Sequence, residues 1–391
     1  MKTPASKPAA LVITRNLPPL VGGMERLLWH IVNELHADWR VHVVGPTSCS
    51  AHLPHDVTAD EVTIRPMYRY LLSSKLAAIG AAMRLHPSLV FAGSGLTAPM
   101  AWLASRLVGA HCVVYLHGLD VEARHPVYRW FWKPFFRRCD RVLVNSHFTR
   151  QLALDAGIAE TRITILHPGV ELPDIGDAAQ QRASFRARHS LDDNLLMLYV
   201  GRITARKGLA SFVQNCLPAI VKEHPMAKLV VIGDEPANAL LKSAGERTKI
   251  METLKAAKLE NCVMFLGELA HDAPELNAAY FAADVSIFPV EERPYDNEGF
   301  GMVAIEAAAH GLPTIAFAVG GIRDAIADGL SGSLIPAGEP HTFIRAVNDH
   351  LSEPAERKAA RMDEIRAFAS EFAWPVFGHR LRQLCRFEQN S

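Results

Sequence analysis

The sequence predicts an α/β protein of two Rossmann-like domains facing each other across a cleft, and three observations carry that prediction. The 391 residues exceed what one hydrophobic core usually organises. Short continuous apolar runs alternate with stretches of helical periodicity, the pattern of a parallel sheet covered on both faces. The alternation breaks at one polar stretch, ELPDIGDAAQQRASFRARHSLDD (171–193), which reads as a linker, and then resumes.

The first series opens with AALVITRN, followed by MERLLWHIVNELH, where apolar residues recur at three- and four-residue steps. RVHVVGP then precedes SSKLAAIGAAMRLH, and SLVFAGS precedes APMAWLASRLVG. CVVYLHG, RVLVNS and ITILHPGV complete it. The second series runs LLMLYVGR, KLVVIGD, CVMFLGEL, DVSIFPV, PTIAFAVGG and GSLIPAG, with helical patterns between them. Two successive α/β units of similar length are the signature of paired Rossmann-like domains.

Composition excludes several classes. With 49% hydrophobic and 21% charged residues, the chain has the make-up of an ordinary soluble globular protein. No apolar run approaches the ~20 residues of a membrane span, and the apolar stretch near the start is too short for a secretory signal. Cys49, Cys112, Cys139, Cys216, Cys262 and Cys385 are scattered without zinc spacing, so reduced thiols in a cytosolic protein are expected. Net charge is zero but uneven. Residues 1–170 hold 18 Lys and Arg against 11 Asp and Glu, and the remainder is acidic to the same degree. A basic first half suits an anionic partner surface, although simple drift between two domains also explains it.

No strand is followed by GxGxxG, so the dinucleotide fingerprint is missing, yet ligands of open parallel sheets still bind beyond the carboxyl ends of the strands. The unusual residues do fall in those loops. GRITARKG places Arg202 and Lys207 around a strand-to-helix turn closed by Gly208, a pairing that suits a pyrophosphate; two solvated cations are the plainer reading. EERPYDNEGFGM puts Glu298 before Gly299 and Gly301 at the mouth of a loop that leads into a helix carrying Glu306. Glu298 is placed to accept from hydroxyl groups and Glu306 to bind a vicinal diol such as a ribose, unless Glu306 is simply an exposed helix residue. Gly22-Gly23 and Gly320-Gly321 each open a helix after a strand and fit backbone approach to a ligand. His117, at the end of VVYLHG, is a candidate for binding a substrate hydroxyl or supporting charge, or else a structural histidine. PVYRWFWKPFFRRC (126–139) mixes Arg129, Lys133, Arg137 and Arg138 with six aromatics, as an anionic membrane interface would require, with Pro134 preventing one unbroken helix. There is no DxD and no HExxH, so no metal site is expected; Arg and Lys supply the neutralising charge.

Taken together these residues resemble the retaining glycosyltransferases of family 4, which have the GT-B fold. The match includes Gly22-Gly23, His117-Gly118, VNSHFTR (144–150), GRITARKG and the E-x7-E pair Glu298/Glu306. HPGVE (167–171) stands where the family has Asn-Gly-Val-Asp, a departure that bears on the hinge more than on chemistry. FAWPVFGHRLRQL resembles the family's Phe-x-Trp helix, which crosses back onto the N-terminal domain. The resemblance implies an acceptor domain over 1–172 completed by 373–391, and a nucleotide-sugar domain over 173–372. It implies that Arg202 and Lys207 hold the donor diphosphate, that Glu306 binds the ribose, and that Glu298 binds the donor sugar. The backbone of Phe300, Gly301, Met302 and Val303 would lie nearby, with Gly22 and Gly23 also on the donor. Gly267 to Leu269 would meet the base, and His117 would sit by the donor sugar. The implied reaction is hexosyl transfer with retained configuration from a UDP- or GDP-sugar to a glycan or lipid-linked acceptor. It would run without a metal or other cofactor, the nucleotide sugar being a substrate. The expected setting is bacterial surface-polysaccharide or glycolipid synthesis, in the cytoplasm or peripherally on the inner face of the membrane, with no nucleic-acid partner. A nucleotide-sugar epimerase of the same architecture, or a non-catalytic nucleotide-sugar-binding protein, stands as the alternative.

Overall fold

A computed structural model describes residues 7–123, 125–235 and 245–387. The chain forms two compact units, Met1–Gly169 with Trp374–Ser391, and Val170–Ala373.

The first unit is built on seven parallel strands: β1 (Ala9–Ile13), β2 (Arg40–Pro46), β3 (Thr58–Val62), β4 (Leu89–Ala92), β5 (His111–Leu116), β6 (Arg141–Val144) and β7 (Ile163–Ile165). Their spatial order is β3-β2-β1-β4-β5-β6-β7. The chain builds outward from β1 in one direction and, after β4, in the other, so the switch point lies between β1 and β4. All five residues of β1 are buried, as both faces carry helices. β3 escapes the apolar-run reading because it is an edge strand with the sequence TADEV, largely accessible until Val62. Segment 126–139 folds as a single π-helical turn over Tyr128–Trp132 followed by a short helix, Lys133–Phe136, with the proline in its first turn.

The C-terminal helix Trp374–Cys385 belongs to this unit and packs on helix Gly23–Asp38. Trp374 stacks on His30 with ring centroids 3.6 Å apart. Arg382 pairs with Glu34, and Arg386 meets Asp38 at 2.7 Å. The aromatic stack buries Trp374, and the arginines neutralise an acidic edge of the partner helix.

The second unit contains β8 (Leu195–Val200), β9 (Ala227–Ile232), β10 (Val263–Gly267), β11 (Val285–Phe288), β12 (Thr314–Phe317) and β13 (Gly332–Ile335), all parallel in the order β10-β9-β8-β11-β12-β13. Here the switch point lies between β8 and β11, and the loops that follow those two strands form the crevice where ligands of open parallel sheets bind.

The polar stretch expected as a linker is partly helical, over Ala178–Arg188. Two of its arginines turn inward, while Arg188 stays exposed. Arg186 is 8% exposed and, with Arg182, grips Asp284 at 2.9 and 2.8 Å while both donate to the terminal carbonyls of helix Pro274–Ala282. Cationic residues that read as surface charge cap a neighbouring helix end instead.

Candidate active site

The loop after β8 folds into a 3-10 turn, Ala205–Lys207, ended by Gly208. Gly208 has φ +72°, and a Cβ there would lie 1.9 Å from the carbonyl oxygen of Pro289, so only glycine lets this loop lie against the segment following β11. The peptide of Glu291 completes the contact by donating to the carbonyl of Arg206 at 2.9 Å. The loop after β11 is held from its other side. Gly320 has φ +54°, its Cβ position is 2.4 Å from the Glu298 carbonyl oxygen, and the Gly321 N–H donates to that oxygen at 2.8 Å. The two glycines thus bring the β8, β11 and β12 loops together, and the charged side chains converge as a result.

Lys207 Nζ donates to Glu298 Oε2 at 2.8 Å, and the Arg206 guanidinium donates to the same oxygen. Arg206 Nε also faces Asp296 Oδ1 at 3.2 Å. Lys207 and Glu298 were expected to grip different parts of one donor, and in the structure they grip each other. Burial pushes the Glu298 carboxyl up, but Lys207 and Arg206 overcome it and hold the group at about 2. Burial also lowers the Lys207 ammonium, which Glu298 opposes and Arg206 reinforces. The same ammonium sits 4.9 Å from the Phe288 ring centroid. Arg202, by contrast, is exposed, and among the described residues it pairs with no carboxylate; it is near enough to Lys207 to depress that ammonium further. The cluster therefore contains three cations, two of them neutralised by carboxylates and one facing solvent.

Arg206 is the functional candidate the sequence reading passed over. It adjoins Lys207 in TARKG, and the tight turn presents both side chains to one carboxylate. Two consecutive cations ahead of a glycine at a switch-point loop were the available signal.

Glu306 lies on the second turn of helix Met302–Ala309, which Gly301 precedes as its cap. It is half-buried, and Tyr280 Oη donates to its Oε2 at 3.1 Å. Met302 and Val303 start the helix, where backbone N–H groups have no intrahelical partner. The side chain of Phe300 turns inward, 3% exposed, and meets Phe372 at 5.9 Å between centroids, so this residue can offer a ligand only its backbone. Gly267 ends β10 and accepts from the Gly233 N–H at 2.7 Å, while Leu269 packs on the core beneath helix Pro274–Ala282.

Gly22, Gly23 and His117 are in the first unit. Gly22 and Gly23 are exposed at the start of helix Gly23–Asp38. His117 follows β5, with its Nε2 2.8 Å from the Gly93 carbonyl oxygen and its backbone N–H 3.1 Å from Asp120 Oδ2. A carbonyl accepts only, so Nε2 carries the proton and, in the neutral ring, Nδ1 is the acceptor. A ring held in that tautomer can accept a hydrogen bond from a substrate hydroxyl.

The family described as Glycosyltransferase Family 4 matches residues 21–173, and that described as Glycosyl transferases group 1 matches residues 194–353. The chain is 27% identical over 390 residues to the GDP-mannose-dependent alpha-(1-6)-phosphatidylinositol monomannoside mannosyltransferase of Mycolicibacterium smegmatis, covering 96% of this chain and 97% of that one. It is 30% identical over 251 residues to the D-inositol 3-phosphate glycosyltransferase of Streptosporangium roseum, covering 62% and 54%. Among solved structures it is similar to Anabaena HepE in complex with UDP and glucose, with a TM-score of 0.76 and 20% identity over 96% of this chain and 98% of that one. At that identity the likeness is one of fold.

Proposed function

The chain belongs to the family 4 glycosyltransferases, and on that premise we propose that it moves a hexosyl unit, with retention of anomeric configuration, from a UDP- or GDP-sugar to a hydroxyl of a glycan or glycolipid acceptor. The observation that carries the donor half of this reading is the Lys207–Arg206–Glu298 assembly at the β8/β11 switch point. Arg202, Arg206 and Lys207 hold the diphosphate, and Glu298 is their resident counter-ion and the donor sugar's acceptor group. Glu306 binds the ribose hydroxyls, and the backbone near Gly267 and Leu269 faces the base. In the reaction the bond from the anomeric carbon to the β-phosphate oxygen breaks and the acceptor oxygen bonds to that carbon from the same face. The departing phosphate oxygen takes the acceptor proton. Negative charge grows on the leaving group, so fixed cations that need not reorganise lower the barrier. His117 accepts a hydrogen bond from a hydroxyl through Nδ1.

The acceptor half is supported by a glycolipid-modifying relative and by the surface of the first unit. Val127, Trp130 and Phe131 are 50, 74 and 67% exposed beside Arg129, Arg137 and Arg138. Helix Met67–Leu85 exposes Tyr68, Leu72 and Leu76 at four-residue steps, carries Arg69 and Lys75, and contains no acidic residue. Apolar and aromatic side chains flanked by cations suit peripheral contact with an anionic membrane from the cytoplasmic side. Among the described residues no helix is long and apolar enough to cross one. The experiment is product analysis. The protein is incubated with a panel of UDP- and GDP-hexoses and a bacterial membrane extract, and the glycosidic linkage formed is assigned by NMR. An α-linked product from an α-configured donor is expected. Conversion of the donor to another hexose without acceptor would point to an epimerase, and an intact donor after prolonged incubation to a binding protein.

A further inference from the structure

Behind Glu306 lies a buried aromatic assembly that the donor-site reading leaves unused. Tyr280, on helix Pro274–Ala282, is 2% exposed and donates its hydroxyl to Glu306 Oε2 at 3.1 Å. His310, 6% exposed, stacks on the Tyr280 ring with centroids 4.7 Å apart and planes 24° from parallel, while Phe281 meets its other contact edge at 4.7 Å. His310 Nδ1 lies 2.7 Å from the backbone carbonyl of Glu306, and Nε2 lies 3.1 Å from Asn277 Oδ1. The carbonyl requires a proton on Nδ1. Burial keeps this imidazole neutral, lowered to about 4, so Nε2 is an acceptor, and the Asn277 amide satisfies it when turned end for end to present NH2 in place of Oδ1. The histidine is thereby clamped between the backbone of residue 306 and Asn277, and its face holds the tyrosine whose hydroxyl fixes the carboxylate of the same residue.

We infer that Tyr280 and His310 are positioning residues that lock the Glu306 carboxylate for a cis-diol, and so set the protein's discrimination between ribonucleotide and deoxyribonucleotide donors. The inference rests on the reading that Glu306 meets the ribose. A glutamate on an Ala-rich helix has three side-chain torsions to settle, and an acceptor that must meet two adjacent hydroxyls at once gains most from being held before the ligand arrives. Tyr280 supplies that hold from within the core, where its own position is fixed by the stack. Neither residue needs to touch the ligand.

The test uses full-length protein and calorimetric titration with UDP and GDP, each beside its 2′-deoxy counterpart, continued with whichever base binds. Wild type is expected to prefer the ribose form, Glu306→Gln to lose the preference, and Tyr280→Phe, which keeps ring and stack, to reduce it about tenfold. His310→Phe, which keeps the stack but loses both hydrogen bonds, is expected to act in the same direction and guards against one variant failing to fold. If Glu306→Gln loses the preference while both aromatic variants keep it, the positioning inference is overturned and the ribose reading stands. If Tyr280→Phe and His310→Phe weaken ribose and deoxyribose forms equally, the assembly is merely structural and the inference is overturned as well. If Glu306→Gln retains the preference, or neither nucleotide binds, the ribose reading itself fails and takes the inference with it.

Discussion

Replacing Glu298 by glutamine removes one negative charge and almost no volume, and the structure sets the size of the effect. Glu298 is 16% exposed and is the shared acceptor of Lys207 and Arg206. Burial opposes its charge, yet the two cations bring the carboxyl from its ordinary 4.5 to about 2. At about 1.4 kcal/mol for each tenfold change, that depression is worth about 3 kcal/mol of folding stability at neutral pH. The sign follows from the direction: a carboxyl held low in the folded state stabilises above its ordinary value, and the contribution drains away as pH falls toward the folded one. Glu298→Gln should therefore cost the second unit about 3 kcal/mol at pH 7, the low end for breaking a buried pair, because Asp296 still faces Arg206. Between pH 4.5 and 3.5 the wild type should lose about 1 kcal/mol that the variant, having nothing to titrate there, does not. Urea unfolding followed by circular dichroism is the appropriate assay, since all six tryptophans lie in the first unit. Parallel pH dependences, or a difference at pH 7 of a few tenths of a kcal/mol, would refute the claim that this carboxylate neutralises the two cations.

Three other outcomes follow from the same geometry. Lys207→Ala should leave the circular dichroism spectrum unchanged and lower kcat/KM by about 100-fold or more, as loss of a fixed charge on a leaving group does; turnover near that of wild type would remove the cationic cluster from the mechanism. Trp374→Ala deletes a 5%-exposed ring stacked on His30 and should destabilise the first unit by about 3–5 kcal/mol, read from the fluorescence of the remaining tryptophans. Paired Trp130→Ala and Phe131→Ala substitutions should reduce co-sedimentation with anionic vesicles at low salt without changing nucleotide binding; unchanged sedimentation would assign membrane contact, if any, elsewhere.

The parallel strands were legible because residues such as Leu11, Val12 and Ile13 are apolar on both faces, and a doubly covered sheet allows nothing else. β3 was not, since an edge strand reading TADEV has no apolar run to detect. Helix Ala178–Arg188 was hidden by its charges, for nothing local shows that Arg182 and Arg186 will meet Asp284, 102 and 98 residues later. The site divides in the same way. Lys207, Glu298 and Glu306 stand out as charged residues in loops or on an apolar helix, where each needs a reason to be. That Lys207 and Glu298 would pair with each other depends on two glycine contacts between distant loops, and periodicity carries no trace of those. Tyr280 and His310 were invisible for the opposite reason: one within helix Pro274–Ala282 and the other just after helix Met302–Ala309, they look like ordinary core.

The central claim is that the cations following β8 bind a nucleoside diphosphate. A crystal structure of the protein soaked with UDP and with GDP tests it most directly. The account predicts a diphosphate within hydrogen-bonding distance of Lys207 and of Arg202 or Arg206, with the ribose on Glu306. A nucleotide seated in any other pocket, with Lys207 still bonded only to Glu298, would contradict it.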